Sequence, residues 1–139
     1  MIEPSVAFQT AIRAALVNDP AVGALVPSDH IRAGSTRPDK LPTVILASPQ
    51  TMNLGRTSGG GYLTRVFFDL HIWAIADGAE LARQIGGAVA LALWDAPATT
   101  EVGIDAYERP SFAYMHDPDP AQAYCHGVGT VAGAIRWRV

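Results

Sequence analysis

Residues 62–76 read YLTRVFFDLHIWAIA. Val66, Phe68, Leu70, Ile72 and Ala74 share one parity, and Arg65, Phe67, Asp69, His71 and Trp73 share the other. That two-residue period marks a β-strand with one face toward a core. The second face mixes charges with aromatic rings, as on a sheet side covered partly by another chain or by the protein's own loops. The period then changes. Asp77 and Glu80 have capping-box spacing, with Asp at the N-cap and Glu at N3. Leu81, Ile85, Ala88, Ala92 and Leu93 recur along one side of a helix predicted to run to about Trp94. Gly86 and Gly87 each cost that helix roughly 1 kcal/mol relative to alanine. Close packing of the helix against the sheet accounts for them.

Working outward, the chain predicts further elements on both sides. A first helix over residues 4–17 places Phe8, Ile12, Ala15 and Leu16 on one face, with Gln9, Thr10 and Arg13 mainly opposite. Asp19 caps a second, short helix whose first residue is Pro20. It carries Val22, Leu25 and Val26 and stops at Pro27. Residues 30–41 form a short strand or extended loop, and residues 43–47 a buried strand. Residues 48–61 are polar and glycine-rich, ending in Gly59-Gly60-Gly61, and are expected to form a mobile loop in the free subunit. Residues 102–115 read as a long bent strand broken at Pro110. Asp117-Pro118-Asp119-Pro120 is a turn, and residues 123–139 are the last strand. The expected fold is an α+β two-layer sandwich: a mixed, mostly antiparallel sheet of about four to five strands, packed by two main helices. Residues 1–139 form one domain, which suits the length.

Composition narrows the function. The 139 residues are 49% hydrophobic and 17% charged, with a net charge of −3. That supplies a core and falls below the charge of a typical soluble monomer, about 25%. No basic stripe marks a nucleic-acid clamp, and Lys40 is the only lysine. Cys125 is the only cysteine, so an intrachain disulfide is excluded. The opening residues lack the pattern of a signal peptide. The apolar run over residues 88–94 is far short of the ~20 residues that span a bilayer. Synthesis in a reducing cytoplasm, with no membrane partner, is the expectation.

His30, His71, His116, His126 and Cys125 lack metal-ligand spacing. Cys125 and His126 are neighbours, so on a strand they face opposite ways. No nucleophile elbow of the G-x-S-x-G type occurs. The glycine triplet leads into a strand and not a helix, so it is no phosphate cradle. No catalytic residue, cofactor site or metal site is expected, and the protein is read as not an enzyme.

The order of features resembles a known family. An opening helix with Ala-Ile-Arg-Ala-Ala-Leu over residues 11–16 leads to Asp19-Pro20 and then to His30-Ile31-Arg32. Leu41-Pro42-Thr43-Val44-Ile45-Leu46 follows, then a polar loop and the strand that ends near Trp73. After the second main helix come the Asp-Pro-Asp turn, His126-Gly127, and a closing Ile135-Arg136-Trp137-Arg138-Val139. Nearly the whole chain is similar to the tail-completion or tail-terminator proteins of long-tailed bacteriophages and of phage-derived gene transfer agents.

The resemblance implies a homo-oligomeric ring, usually a hexamer, in the neck of a virion or phage-like particle. Such a ring caps the tail tube, ends its polymerisation and joins it to the head-side connector. Its implied partners are its own copies, the tail tube protein and the connector, with DNA free to pass through the ring without specific binding. The family has no catalytic motif to transfer. Within the expected loop, Met52, Leu54, Arg56, Gly59, Gly60, Gly61 and Tyr62 are the candidate interaction residues, with Met52 and Leu54 as apolar anchors and Arg56 as a donor. Two alternatives stand beside this: a head-completion or adaptor protein of the neck, and a small α+β ligand-binding domain or enzyme using Asp69, His71 or His116.

Overall fold

The element order is set by three long strands of fourteen residues each, and everything else is arranged around them. The computed structural model describes residues 2–75, 80–116 and 123–139. Its elements are α1 (Pro4–Val17), α2 (Pro20–Gly23), β1 (Ile31–Ala33), β2 (Thr43–Arg56), β3 (Tyr62–Ile75), α3 (Glu80–Ala92), β4 (Gly103–Glu108), β5 (Ala113–His116) and β6 (Tyr124–Trp137). They build an α+β fold around one sheet of six strands, ordered β1-β2-β3-β6-β4, with β5 also on β6. Only β1 with β2 is parallel, and the other pairings are antiparallel.

The decisive strand behaves as its period says. Val66, Phe68, Leu70, Ile72 and Ala74 are all buried, facing the helices in the main core. There β3 runs beside β6 without a register break, from Tyr62 opposite Trp137 to Ile75 opposite Tyr124. Phe8 of α1 meets Phe68 edge to face, with ring centroids 5.7 Å apart. Such pairs add roughly 0.5–1.5 kcal/mol beyond their area. The Asp19 carboxylate accepts from the amides of Ala21 and Val22 and so caps α2. Arg13 donates from Nε to the Ile31 carbonyl at 2.9 Å, tying α1 to the sheet edge.

The helix α3 buries Ala82, Ile85, Gly86 and Val89. Its inner line therefore falls a little to one side of the expected one, with Leu81, Ala88 and Ala92 half-buried. The two central glycines separate. A methyl group on Gly86 would stand 1.9 Å from the Tyr114 hydroxyl, whereas one on Gly87 would meet nothing within 4 Å. Close packing explains the first glycine and not the second. Asp77 of the expected capping box and the expected turn over residues 117–120 lie outside the described residues.

Residues 102–115 are a bent strand broken near Pro110, as expected. Its two limbs, β4 and β5, lie end to end along β6. The larger correction concerns residues 48–61. They are not a loop: β2 continues through them to Arg56, and only residues 57–61 turn, closed by the Thr57 amide on the Gly61 carbonyl at 3.0 Å. Beyond Ala47, β2 stays paired with β3, which is itself paired with β6 there, so this stretch, the arm, is the edge of the sheet; its ladder is interrupted by one-residue shifts between Ala47 and Gln50 and between Asn53 and Gly55. Ser48 and Gly55 adopt positive φ there, at 54° and 127°, where the bulges break the regular ladder.

Candidate interaction surface

The sheet has one face under the helices and one face without them. The open face divides into two zones. Near its closed end, Trp73 is buried to 3% exposure in a small second core with Ile45 and Ala47. The segment between β1 and β2 lies across it. Trp73 Nε1 donates to the Thr36 carbonyl at 2.7 Å, and the Arg37 guanidinium sits 5.1 Å over the indole. Arg32 shapes that segment by donating to the carbonyls of Ser35 and Arg37. The mixed face of β3 is thus partly covered by the protein's own chain.

An aromatic stack extends from Trp73 along this face. The His126 ring lies 3.9 Å from the indole and nearly parallel to it, and the His71 ring follows at 4.9 Å. His71 Nδ1 and His126 Nε2 are 2.7 Å apart, so one ring donates its N–H to the other. That bond requires one of the two nitrogens to be unprotonated. Burial pushes the His71 pKa below its usual value, against the opposing pull of the Asp69 charge. Asp69 itself accepts from the Thr130 hydroxyl at 2.9 Å.

His116 stands opposite Cys125, on the helix side of the sheet, and His126 stands on the other side. Cys125 and His126 therefore do face opposite ways, and His116 is not brought together with Asp69 and His71. Among the described residues, no three His, Cys, Asp or Glu side chains gather into a group that could hold a metal ion. Within the same residues, no helix is long and apolar enough to cross a membrane.

The second zone is the arm. Two bulges fix where its side chains go. Met52 pairs with Arg65 on the open face and is 54% exposed. Leu54 lies in the second register shift and is 50% exposed. Arg56 pairs with Tyr62 at the arm's end, its guanidinium 5.1 Å over that ring. Tyr62 in turn lies 5.0 Å from the Trp137 ring. Gly59 and Gly60 hold the turn at φ 89° and 87°, a region that favours glycine. A methyl group on Gly61 would stand 2.6 Å from the Thr57 hydroxyl and 3.2 Å from the Trp137 carbonyl. All seven candidate residues therefore belong to one hairpin, and Arg56, Tyr62 and the glycines share its tip.

Sequence reasoning missed what orders this arm. Trp137 Nε1 donates to the Thr64 hydroxyl at 2.9 Å, and that hydroxyl donates to Asn53 Oδ1 at 3.0 Å. The relay joins β6, β3 and β2 through a threonine that is 1% exposed. A buried hydroxyl satisfied on both sides fixes its neighbours. Pairing over 73 positions of sequence leaves no local signal, although Trp137 was visible as a strand aromatic. Beside the tip lies an open cleft of about 820 Å³ between residues 57–61, residues 96–104 and Arg136.

Opposite the arm, β4 forms the other edge. Arg136 donates from Nε to Asp105 at 2.6 Å, and Arg65 NH2 lies 2.8 Å from Glu108. Tyr107 donates to the Leu93 carbonyl at 2.6 Å, which anchors β4 to the end of α3. Burial pushes the Tyr107 pKa up to about 12.

Comparison with known proteins agrees with this geometry. Residues 10–132 match the profile of the family described as Tail completion protein gp17. None of the curated proteins matches by sequence. Among solved structures, a chain from the virion of a native gene transfer agent particle is similar in fold, with a TM-score of 0.61 at 18% identity. The likeness covers 98% of this chain and 99% of that one.

Proposed function

From the premise that the chain belongs to the tail completion protein gp17 family, we propose that it is a non-enzymatic structural part of a phage or gene-transfer-agent particle. It forms a closed ring, most simply of six copies, at the top of the tail. The ring caps the tail tube, ends its polymerisation and joins it to the head-side connector, with DNA passing through. Assembly follows synthesis in the bacterial cytoplasm.

The family match carries this reading, and the arm gives it a surface. The edge of this hairpin, with exposed Met52 and Leu54, presents apolar side chains that a partner can cover. Because the arm is already ordered, docking forgoes much of the roughly 1–2 kcal/mol per residue needed to fix a flexible loop. The test replaces Met52 and Leu54 together with aspartate. The subunit should stay folded by circular dichroism, while the particles carry tails of uncontrolled length and unjoined heads. Normal particles from that variant, or a neck reconstruction with this chain as an isolated single copy, would refute the proposal.

A further inference from the structure

The two open edges of the sheet have a relation that the ring reading leaves unspecified. Past Ala47, β2 has β3 on one side and no strand of the described chain on the other. Its residues from Ser48 to Arg56 are all exposed. Native sheets blunt such an edge with charge, proline or bulges. Here Pro49, Arg56 and the two bulges bound the edge, and the stretch over residues 50–53 between the bulges is regular and carries neither charge nor proline. At the opposite side of the sheet, β4 offers the second open edge.

The register places both edges at the same height. Asp105 pairs with Ala134, Ala134 with Arg65, and Arg65 with Met52. Likewise Glu108 pairs with Ala132, Ala132 with Phe67, and Phe67 with Gln50. Three antiparallel steps separate β2 from β4, so these two strands run in opposite directions. A copy related by rotation about an axis along the strands keeps its strand directions. Its β4 would then meet the first copy's β2 antiparallel, in the geometry that gives the straighter hydrogen bonds. Such an edge-to-edge contact is heterologous, the kind that closes into a ring.

Charge permits the contact. The β2 limb of the arm is uncharged until Arg56. The facing edge carries Asp105 and Glu108, whose side chains remain 49% and 58% exposed despite their internal arginine partners. Each can accept a further donor from a neighbour.

Building on the ring reading, we infer that the interface between copies is a β-strand addition: the open edge of β2 over residues 50–56 in one copy joins the β4 edge, Gly103–Glu108, of a second copy. The sheet then continues from subunit to subunit. The arm thereby has a defined occupant for its edge, and Met52 and Leu54 lie beside the seam.

Cysteine pairs test this with the full chain. Gln50→Cys, Met52→Cys and Leu54→Cys are each combined with Asp105→Cys, which scans the register. The protein is oxidised, or bridged with a short thiol reagent, both as concentrated protein and in assembled particles. At least one pair should give a covalent ladder up to the ring size, and variants with one introduced cysteine beside the buried Cys125 should give none. A guard at the edge, Thr51→Lys with Met52→Lys, should lower the ring fraction at least about tenfold without changing the melting temperature. Rings seen by electron microscopy that stay unlinked by every pair, and that tolerate the guard, would overturn the edge contact and leave the ring standing. A ladder on open filaments would support the edge contact and overturn the closed ring. Monomers in concentrated solution together with single copies in particles would overturn both.

Discussion

The strand β2 is two regions under one name. Its first five residues, Thr43 to Ala47, are all buried, and its last nine are all exposed, yet both halves run beside the same strand β3. The first half is held by burial against α1 and by the small core under Trp73. The second half is held by its ladder to β3, by the Trp137–Thr64–Asn53 relay and by the rings at its tip. The difference shows that a strand can be ordered by its neighbours' side chains while its own stay in solvent.

The sharpest way to test that contrast is to remove apolar volume from each half. Leu46→Ala should cost about 2–5 kcal/mol, because it empties a fully buried site. Met52→Ala should change stability by less than about 0.5 kcal/mol. Urea denaturation measures both, and equal losses would mean that the arm also carries core energy. A smaller effect is expected from Thr64→Val, which keeps the shape and breaks the relay. It should cost about 1 kcal/mol by leaving the Trp137 N–H without its acceptor. It should also speed amide exchange over residues 50–56 while leaving residues 43–47 protected. Uniform exchange along β2 would show that the relay does not order the arm.

The smallest expected effect lies on the open face, at His71. Its pKa is lowered in the fold, so the unfolded chain takes up a proton first as pH falls. The stability contribution is complete above the unfolded value, near 6.5, and is lost as pH drops below it toward the folded pKa. A second proton also breaks the His71–His126 bond. His71→Gln should flatten the slope of stability below about pH 6.5, read by thermal melts across pH. A slope unchanged by the substitution would assign it to other groups. Solvent screening at this half-exposed site keeps the effect modest.

How much of this was legible in the sequence follows from the same contrast. Periodicity reports burial, so β3, β6, α1 and the first half of β2 were readable from their apolar spacing. The second half of β2 has no apolar face. Gln50, Thr51, Asn53 and Gly55 are what a loop would carry, and the bulges break what alternation remains. The candidate residues were thus chosen by composition and misread in conformation. The open edge of β4 was hidden for another reason: an edge is a property of strand order, which here depends on pairings between residues 24 to 33 positions apart.

The two bulges of the arm carry a consequence of their own. Each adds one unpaired residue to β2 and none to β3, so each acts like a frameshift, and the second restores the frame that the first displaced. Only the word between them is altered. Asn53 is thereby read toward Thr64 and Met52 toward the open face, whereas Arg56 regains the side it would have held with no shift at all. Losing one residue at Ser48 would exchange those two assignments, placing the amide outside and the thioether within. Losing one residue at each bulge would leave the tip in its original phase.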